Sequence, residues 1–307
     1  MKMLDKEYIC CVVLHYQNNK DTIECVDSLL GLKVPNGYNT AIIIIDNNSP
    51  NGLFHNIEKY YCDNENVVCI HSSENLGFAK GNNIGFKIAK YQFNAKYIVC
   101  SNNDIIVKDK DLFVKMVEYY KNTYFHICGP QIISLVDGKF QNPVKKQYYS
   151  KNDIYKRIIK YTVLLGLSYF GLDTYIQNFY TKCKVQKCGN DSDNNYQVGV
   201  LQGSEIDQND YQLHGAFLIF SEKYISLFDG FYDETFMYQE ENILKYRCIK
   251  HKLTMKYCDA IFVSHKEGAA TNAIAKSAKT KRQFYYRNNI ISCKILIQLI
   301  EKDNEMI

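Results

Sequence analysis

The first hundred residues alternate between short apolar runs and segments with the spacing of amphipathic helices. Four runs have the continuous apolar character of buried strands: YICCVVLHY from Tyr8, NTAIIIIDNNS from Asn39, NVVCIHS from Asn66 and KYIVCSNND from Lys96. The segment after the first run places Ile23, Val26 and Leu29 on one helical face, and further helices are predicted near 53–61 and 78–91. This βαβαβαβ order predicts a parallel sheet with right-handed crossovers and helices on both faces.

The regular alternation stops after Gly129. Residues 135–200 are rich in Tyr, Lys and Asn, and we predict an insertion here, formed by an amphipathic helical hairpin and the polar loop KCGNDSDNNYQ. Strand-like sequence returns with YQLHGAFLIFS, LTMKYC and AIFVSH, and a long helix is predicted over 277–301. The fold class predicted for the chain is therefore α/β, with a mixed, mainly parallel sheet flanked by helices, a helical insertion and a C-terminal helix.

Polar residues follow each of the four early strands, in loops 15–18, 46–49, 74–83 and 102–104. Because the carboxyl ends of parallel strands meet at one edge of a sheet, these loops would line a single polar cleft. Asn and Asp are also common turn residues, so a purely structural role stays open for any one loop. The succession of four such loops favours a binding cleft.

The composition describes a globular protein without a strong charge bias. The 307 residues are 46% apolar, and the formal net charge of +4 is too small to indicate nucleic-acid binding. Lys and Arg concentrate at 139–187 and after residue 276, where they could contact anionic lipid or phosphate. The apolar stretch YTVLLGLSYFGL, at 161–172, is too short to span a bilayer and fits a buried or interfacial helix.

Most of the twelve cysteines lie in apolar runs, and none forms a CxxC pair. This pattern favours buried reduced thiols over disulfides or a structural zinc site. The apolar run at 9–14 is too short for the core of a signal peptide and follows charged residues. We therefore expect a cytoplasmic protein.

Two loops carry candidate chemistry for a phosphate and a metal ion. SENLGFAKGNNIGF places Gly77, Gly81 and Gly85 around a helix start, where backbone amides could approach a phosphate and Lys80 could pair with a diphosphate. Its spacing matches neither a dinucleotide fingerprint nor a phosphate loop. In CSNND, Asp104 follows a buried strand and is a candidate ligand for Mg²⁺ or Mn²⁺, with a helix cap as the alternative.

A third stretch, FDGFYDETFMYQEENILKYR, contains the adjacent carboxylates Glu240 and Glu241 beside an aromatic and methionine cluster. Two carboxylates at a helix start are favoured by the helix dipole, so a structural role is one interpretation. A general base in a cleft is the other. His265, at the end of AIFVSH, has the pattern of a packed or surface histidine, and its place at a strand end before a glycine loop leaves a borderline ligand for Mn²⁺ as the alternative.

Taken in order, eight segments resemble the family 2 glycosyltransferases of the GT-A fold: VVLHYQN, IIIIDNNSPNG, ENLGFAKGNNIGF, SNND, LHGAFLIF, FDGFYDETFMYQEENILKYR, VSH and FYYRNNIISCK. The resemblance is greatest to the bacterial rhamnosyltransferase-like branch, which builds capsule and O-antigen polysaccharides. It covers residues 8–130 and 211–294. It implies four regions: a nucleotide-sugar-binding half at 1–134, the insertion at 135–200, an acceptor-binding half at 201–270 and a C-terminal helical segment at 271–307.

Members of this family move a sugar from a nucleotide diphosphate to an acceptor hydroxyl with inversion at the anomeric carbon. The resemblance implies that Asp46 contacts the nucleotide base, that Asp104 holds Mg²⁺ or Mn²⁺ on the diphosphate, and that His265 supplies a second metal ligand. The other donor-binding residues that it implies are His15, Tyr16, Asn18, Asn48, Asn75, Gly77, Lys80, Asn82 and Asn103.

The resemblance also implies that Glu241 is the general base and that Glu240 orients the acceptor. The family pattern at this point is Glu-Asp, so the second side chain here is longer by one methylene group. A further Asp often follows two residues after the pair, where this chain has Ile243. Both departures bear on how far the base must reach, because proton transfer needs hydrogen-bond contact.

The predicted partners are a UDP- or dTDP-sugar and a glycan or lipid-linked acceptor at the inner face of the plasma membrane. The insertion at 148–187 and the helix at 284–300 suit a membrane interface, a protein partner or core packing, and the terminal helix also suits a homodimer. Two other functions stay open. One is a sugar nucleotidyltransferase, although HYQNNKD lacks the glycine and arginine of its phosphate loop. The other is a nucleotide-sugar-binding scaffold without catalysis.

Overall fold

The computed structural model describes residues 6–145, 147–148, 150–176, 210–267 and 277–305. The later part of the predicted insertion, including the loop KCGNDSDNNYQ, lies outside the described residues. Within them, the chain forms an α/β structure around an eight-stranded, mainly parallel sheet. This architecture confirms the predicted fold class.

The sheet places four parallel strands side by side at one end and mixes directions at the other. Its order is β3 (Val67–His71), β2 (Tyr38–Asp46), β1 (Glu7–His15), β4 (Ala95–Asn102), β9 (Phe217–Ser221), β6 (Ile127–Ser134), β10 (Met255–His265) and β5 (Ile105–Ile106). Strand β9 runs antiparallel to both neighbours, and β10 runs parallel to β6. The register sets His15 opposite Asp46 and Leu14 opposite Asn102, so the loops after these strands meet at one edge.

Helices cover both faces of the sheet, which explains the continuous apolar runs of the strands. Alternate residues of β1 enter opposite cores, with Ile9, Cys11 and Val13 on one face and Cys10 and Val12 on the other. The first face carries α1 (Asn19–Leu30), α2 (Phe54–Tyr60) and α4 (Leu112–Thr123). The second carries α3 (Gly77–Tyr91), α6 (Glu222–Ile225) and α7 (Glu240–Lys250).

Two of the three glycines of helix α3, Gly81 and Gly85, face β1 with no room for a side chain. A Cβ atom at Gly81 would lie 2.7 Å from Leu14 Cδ1, and one at Gly85 would lie 2.5 Å from Val12 Cγ1. Such distances are far inside van der Waals contact, so a side chain at either position would force Leu14, Val12 or the helix to shift. Two glycines of SENLGFAKGNNIGF thus have a packing role that the sequence analysis does not predict.

The described part of the insertion packs on the C-terminal helix. Helix α5 (Lys151–Tyr169) lies along α8 (Ala278–Glu305), and the hydroxyls of Tyr161 and Tyr285 are 2.9 Å apart. The apolar residues between α5, α7 and α8 form one small core: Ile154, Ile243, Cys293, Leu296 and Ile297. The apolar face of the predicted 284–300 helix is therefore used for core packing, one of the three uses left open.

The sequence prediction of one strand over YQLHGAFLIFS is wrong. Its start forms β8 (Tyr211–Gln212), which pairs with β7 (Val144–Lys145) in a separate two-stranded sheet, and β9 begins only at Phe217. Between them, His214 N–H donates to Asn142 Oδ1 at 3.1 Å, so side chains satisfy backbone groups that a strand would pair. In contrast, LTMKYC and AIFVSH contribute to a single strand, β10, which is irregular between Cys258 and Phe262.

The cysteines of the described residues are all free, and most are buried, with Cys62 exposed. Burial raises the pKa of several thiols, that of Cys10 to about 12. Across the part of the chain that the structure describes, no helix is long and apolar enough to cross a membrane.

Candidate functional site

A cavity of about 220 Å³ opens at the carboxyl edge of the four parallel strands. One wall comes from the loops that follow β1 to β4, within residues 6–134, which we call the first half. The other wall comes from segments 214–216 and 236–241, within residues 210–267, which we call the second half. Seven of the predicted site residues line this cavity: Tyr16, Asn75, Gly77, Asn103, Asp104, Glu240 and Glu241. The loops therefore meet as the parallel strands predict.

Asp104, which lines this cavity, forms a close pair with His265, which is not among the lining residues. His265 Nε2 lies 3.2 Å from Asp104 Oδ1; Asp104 lies in the turn between β4 and β5, and His265 is the last residue of β10. The imidazole is held from behind, because His265 Nδ1 is 2.8 Å from Gln141 Oε1. Gln141 is itself oriented, since its Nε2 donates to Glu267 Oε1 at 2.7 Å.

This chain of contacts determines the tautomer of His265. With Gln141 Oε1 as the acceptor, His265 Nδ1 must carry a proton, and Nε2 of a neutral ring then presents a lone pair towards Asp104. A carboxylate oxygen and a nitrogen lone pair at this separation need a proton or a cation between them. The arrangement has the form of a metal-ligating histidine with an oriented outer partner.

The two adjacent glutamates differ in their surroundings. Glu240, the first residue of α7, is buried and accepts a hydrogen bond from Thr235 Oγ1 at 3.2 Å. Burial, followed by the nearby charge of Glu241, raises the pKa of Glu240 to about 8. Glu241 is less buried, and its Oε1 accepts from the backbone N–H of Gly215 at 3.3 Å. One carboxyl group therefore retains its proton near neutral pH while its neighbour faces the cavity beside a backbone donor.

The turn that positions these glutamates is strained. Tyr238 and Gln239 both have φ at 71°, in the left-handed region that side chains disfavour. Side chains from outside the turn hold it: Gln239 Nε2 donates to Asn289 Oδ1 at 2.6 Å, and Tyr148 Oη donates to Gln239 Oε1 at 2.8 Å. The C-terminal helix and the start of the insertion therefore fix the position of the two carboxyl groups.

His214 is a cavity residue that the sequence analysis does not single out. Its Nδ1 accepts a hydrogen bond from the backbone N–H of Ala216 at 3.1 Å, and its ring meets that of His265 edge to face at 5.8 Å between centroids. Burial, opposed by the charge of Glu241, keeps the pKa of His214 below its ordinary value. The neutral ring thus carries its proton on Nε2, which makes it a hydrogen-bond donor and excludes it as a metal ligand through that atom.

Comparison with known proteins identifies the family. A family model described as Glycosyl transferase family 2 matches residues 10–176, more than half of the chain. The chain belongs to glycosyl transferase family 2. The match confirms the family that the ordered motifs predict, whereas the rhamnosyltransferase-like branch stays a prediction.

Two curated relatives of this family 2 chain align over part of its length. The low-salt glycan biosynthesis hexosyltransferase Agl10 of Haloferax volcanii is 20% identical over 132 residues, covering 43% of this chain and 38% of the relative. Glycosyltransferase GlyG of Streptococcus pneumoniae serotype 4 is 27% identical over 141 residues, covering 40% of this chain and 44% of the relative. The chain thus spans less than half the length of either relative.

Among solved structures, S. aureus TarS 1-349 in complex with UDP-GlcNAc is 14% identical, covering 47% of this chain and 38% of that one, with a TM-score of 0.38. The full TarS structure also has a TM-score of 0.38, at 15% identity. These values are too low to carry an argument, and the fold assignment follows from the sheet of this family 2 chain and from the family match.

The first half of the family 2 site is tied together by an asparagine that the sequence analysis also passes over. Asn47 Nδ2 donates to the carbonyl of Gly77 at 3.1 Å, and Asn47 Oδ1 accepts from Leu76 N–H at 2.9 Å. Asn75 Oδ1 accepts from Gly77 N–H at 3.0 Å. These bonds join the loop after β2 to the loop after β3, so the two loops form one wall.

Gly77 is the point where the two halves touch. It has φ at 76°, and a Cβ atom on it would lie 1.9 Å from the carbonyl oxygen of Phe236. The next residue, Phe78, donates its N–H to that same oxygen at 2.8 Å. The conformation and the contact both require glycine, because any side chain would separate the halves.

The other predicted donor-binding residues are not among the described residues that line the cavity: several are buried, whereas Asn48 and Lys80 are exposed. His15 Nδ1 is 2.7 Å from Thr22 Oγ1, and burial lowers the pKa of this histidine to about 4. Asn18 caps α1, and the buried Asp46 accepts from Ser49 N–H at 3.1 Å. Asn82 donates to the carbonyl of Phe78 at 2.9 Å. These residues, with Asn48 and Lys80, stand apart from the described residues that line the cavity, and their contacts with a donor stay predictions.

Proposed function

We propose that this chain is an inverting glycosyltransferase that moves a sugar from a UDP- or dTDP-sugar to a hydroxyl of a glycan acceptor. The observation that carries the proposal is that Asp104, which pairs with His265, and the Glu241 carboxylate line one cavity between the two halves. Displacement with inversion needs two groups in the same site: a cation that stabilises the departing diphosphate and a base that takes the proton of the attacking hydroxyl.

Asp104 and His265 fit a divalent cation such as Mn²⁺ or Mg²⁺. An oxygen and an imidazole nitrogen 3.2 Å apart are close enough to share one ion, and the bond network behind His265 leaves Nε2 available. Within the described residues no group of three or more His, Cys, Asp or Glu side chains could hold a metal, so these two would act together with substrate oxygens. A bound cation would offset the negative charge of the diphosphate.

Glu241 is the proposed general base. Its carboxylate takes the proton of the acceptor hydroxyl, whose oxygen forms a bond to the anomeric carbon while the bond from that carbon to the diphosphate oxygen breaks with its electron pair. The backbone N–H of Gly215 holds Glu241 Oε1, which leaves the other carboxylate oxygen for the acceptor. The Glu241 side chain is one methylene group longer than the Asp of the family pattern. The hydrogen bond from Gly215 fixes the position of its carboxylate despite this extra length.

Glu240 and His214 have positioning roles in this proposal. A protonated Glu240 can donate a hydrogen bond to an acceptor oxygen, which a charged carboxylate cannot do. His214 lines the cavity together with Glu241 and Asp104, whose charges oppose the effect of burial on its pKa. A neutral donor there orients substrate oxygens without competing for the acceptor proton.

The proposed acceptor is a lipid-linked glycan of surface polysaccharide synthesis, presented at the cytoplasmic face of the membrane. This part rests on the resemblance to the capsule and O-antigen branch. The wall beside the glutamates supports a sugar acceptor, because Phe236, Met237 and Tyr238 line the cavity there and aromatic faces pack well on sugar rings.

A thermal-shift panel of UDP- and dTDP-sugars with and without Mn²⁺ tests the proposal. A ligand that binds only the folded protein raises Tm according to RT ln(1 + [L]/Kd). We expect one donor to stabilise the wild type only with the metal, and Asp104→Ala to lose this effect. Asp111→Ala, which removes an exposed carboxylate paired with Lys33, is the control and should respond as wild type.

The proposal fails if no nucleotide sugar stabilises the wild-type chain under either condition. Donor stabilisation that is equal with and without Mn²⁺, and intact in Asp104→Ala, would keep donor binding but remove the metal from the proposal. Transfer activity with the selected donor then separates an enzyme from a scaffold that binds without turnover.

A further inference from the structure

The outer face of helix α5 exposes an apolar stripe. Phe170 is 81% exposed, Ile159 63%, Val163 54% and Tyr155 45%. These four residues, which we call the α5 stripe, follow one another at spacings of four, four and seven. At about 100° per residue they fall within an arc of roughly 80° on one side of the helix. The stripe is therefore a continuous surface rather than a set of scattered side chains.

The opposite side of α5 is already occupied. Ile154, Tyr161 and Leu164 are buried, and they pack in two clusters with residues of α8. The apolar residues of α8 in turn face α5 and α7, as described above. The C-terminal helix, one of the two predicted interface segments, is thus used for packing. The outer face of α5, in the other segment, is not covered by any of the residues that the structure describes.

Basic groups surround the α5 stripe. Lys156 and Lys160 are exposed along one flank. On the other flank, Lys279 Nζ donates to the carbonyl of Tyr169, and Arg287 donates to the Tyr169 hydroxyl at 2.5 Å. From residue 151 to 176 there are four Lys or Arg residues and two carboxylates. Of the two carboxylates, Asp153 caps the start of α5, and Asp173 is buried against Arg282.

We propose that the α5 stripe docks the chain on an anionic lipid bilayer, with the helix lying in the plane of the interface. An apolar face flanked by cations is the pattern of interfacial helices, in which side-chain burial and attraction to anionic headgroups add. Phe170, at the end of the helix, and the exposed Leu172 and Tyr175 beyond it extend the same apolar surface. A second copy of this chain would cover apolar area equally, but it would bring the lysines of both copies together.

The docked helix also supports the second half of the site. The segment just before α5 contributes the Tyr148 hydroxyl that holds Gln239, next to the two glutamates. The membrane surface and the acceptor wall are thus connected through one packed unit of α5, α7 and α8. This surface does not depend on the proposed function, because no residue of the α5 stripe is among the described residues that line the cavity.

Vesicle flotation of the full chain tests the docking surface. Vesicles of phosphatidylcholine alone are compared with vesicles that also contain phosphatidylglycerol. We expect binding to the anionic vesicles, reduced at least about tenfold in the double variant Ile159→Asn, Phe170→Ser. Lys156→Gln with Lys160→Gln should lower it by roughly fivefold per lysine. The control is Val136→Asn with Leu227→Asn, which changes two exposed apolar residues away from α5 and should bind as wild type.

Three outcomes would overturn the proposal. They are no vesicle binding by the wild type, equal binding to neutral and anionic vesicles, and a stripe variant that binds as wild type. Light scattering after gel filtration tests whether a second copy of this chain binds the stripe instead. If the wild type is a dimer that does not bind vesicles, and the stripe variant is a monomer, the stripe serves self-association. A cooperative melting transition at the wild-type Tm, measured without any donor, confirms that the stripe variant folds. Donor-induced thermal shifts then test the proposed function separately from docking.

Discussion

The two halves of the cavity present similar polar groups but are held in different ways. In the first half, the wall residues follow hydrogen-bonded parallel strands, whose register sets His15 opposite Asp46 and Leu14 opposite Asn102. In the second half, the wall consists of segments 214–216 and 236–241, which lie outside regular strands. The first wall is a consequence of the sheet, whereas the second depends on side chains.

Those side chains come from distant parts of the sequence. Asn142 accepts from His214 N–H, and Asn289 accepts from Gln239. Ser292 donates to the carbonyl of Met237 at 3.0 Å. The strained turn before the glutamates therefore persists only while the insertion and the C-terminal helix are in place. This difference teaches that donor binding and acceptor chemistry should respond separately to mutation.

The largest expected effect comes from Glu241→Gln, which keeps the oxygen that accepts from Gly215 but removes the base. Transfer turnover should fall by roughly 10²–10⁴-fold, the usual contribution of a general base. Donor-induced thermal shifts should match the wild type, because the proposed donor contacts, apart from the metal ligand His265, lie in the first half. Both quantities are measured on the same protein preparation with the selected nucleotide sugar.

Glu240→Gln is the matched comparison. Glutamine resembles the protonated Glu240 that predominates near neutral pH, so turnover should fall much less than in Glu241→Gln. The reverse order, with Glu240→Gln inactive and Glu241→Gln active, would transfer the role of base to Glu240.

Gly77→Ala breaks the contact between the halves and is expected to have the next largest effect. A left-handed alanine costs about 1–2 kcal/mol, and overlap with the Phe236 carbonyl adds about 1–3 kcal/mol. Gly138→Ala is the control, because its φ of 71° is similar but no atom lies within 4 Å of its Cβ. Urea unfolding should therefore show a clearly larger loss of stability for Gly77→Ala. Equal losses would mean that the backbone strain alone, and not the contact, requires glycine.

The same difference between halves determines what the sequence could predict. The first four strands and the helices between them carry continuous apolar runs and helical periodicity, so their positions and the meeting of their loops follow from pattern alone. Asp104 is predictable for the same reason, because it follows a parallel strand, β4, at the ligand edge of the sheet.

The structure of the second half is harder to predict from the sequence, because its contacts join residues that are far apart along the chain. No pattern near His214 indicates that its backbone N–H bonds to Asn142 and its ring accepts from Ala216 N–H. These two bonds interrupt the predicted strand. The pairing of His265 with Asp104 joins residues far apart in sequence, and only the family resemblance offers it in advance. Gly77 is predicted as a phosphate-approach residue, whereas the structure gives it a contact with Phe236 that no local rule contains.

The stability of the chain should depend on pH through Glu240. Its pKa is raised from 4.5 to about 8, chiefly by burial, so between these values the folded protein binds more protons than the unfolded chain. Stability should therefore fall as pH rises through this window. Glu240→Gln should flatten the profile and exceed wild-type stability by a few kcal/mol at its upper end.

Urea unfolding at several pH values across the window measures both profiles. Glu222→Gln, which changes a glutamate with a half-exposed side chain, is the control and should follow the wild type. Parallel profiles for wild type and Glu240→Gln would show that Glu240 titrates as an ordinary exposed glutamate, and the proposed donation from its protonated form would then be withdrawn.

The smallest expected effect comes from two variants of His214 that distinguish the roles of its two ring nitrogens. In His214→Asn, the shorter side chain can still accept from the N–H two residues later, as asparagine does in turns, but the Nε2–H donor is lost. His214→Phe loses both functions. We expect His214→Asn to melt like the wild type and to lose roughly tenfold in kcat, about the value of one hydrogen bond, with the donor Kd unchanged. If only His214→Phe loses activity, in parallel with its stability, His214 serves the second half as a structural residue and not as a donor to the substrate.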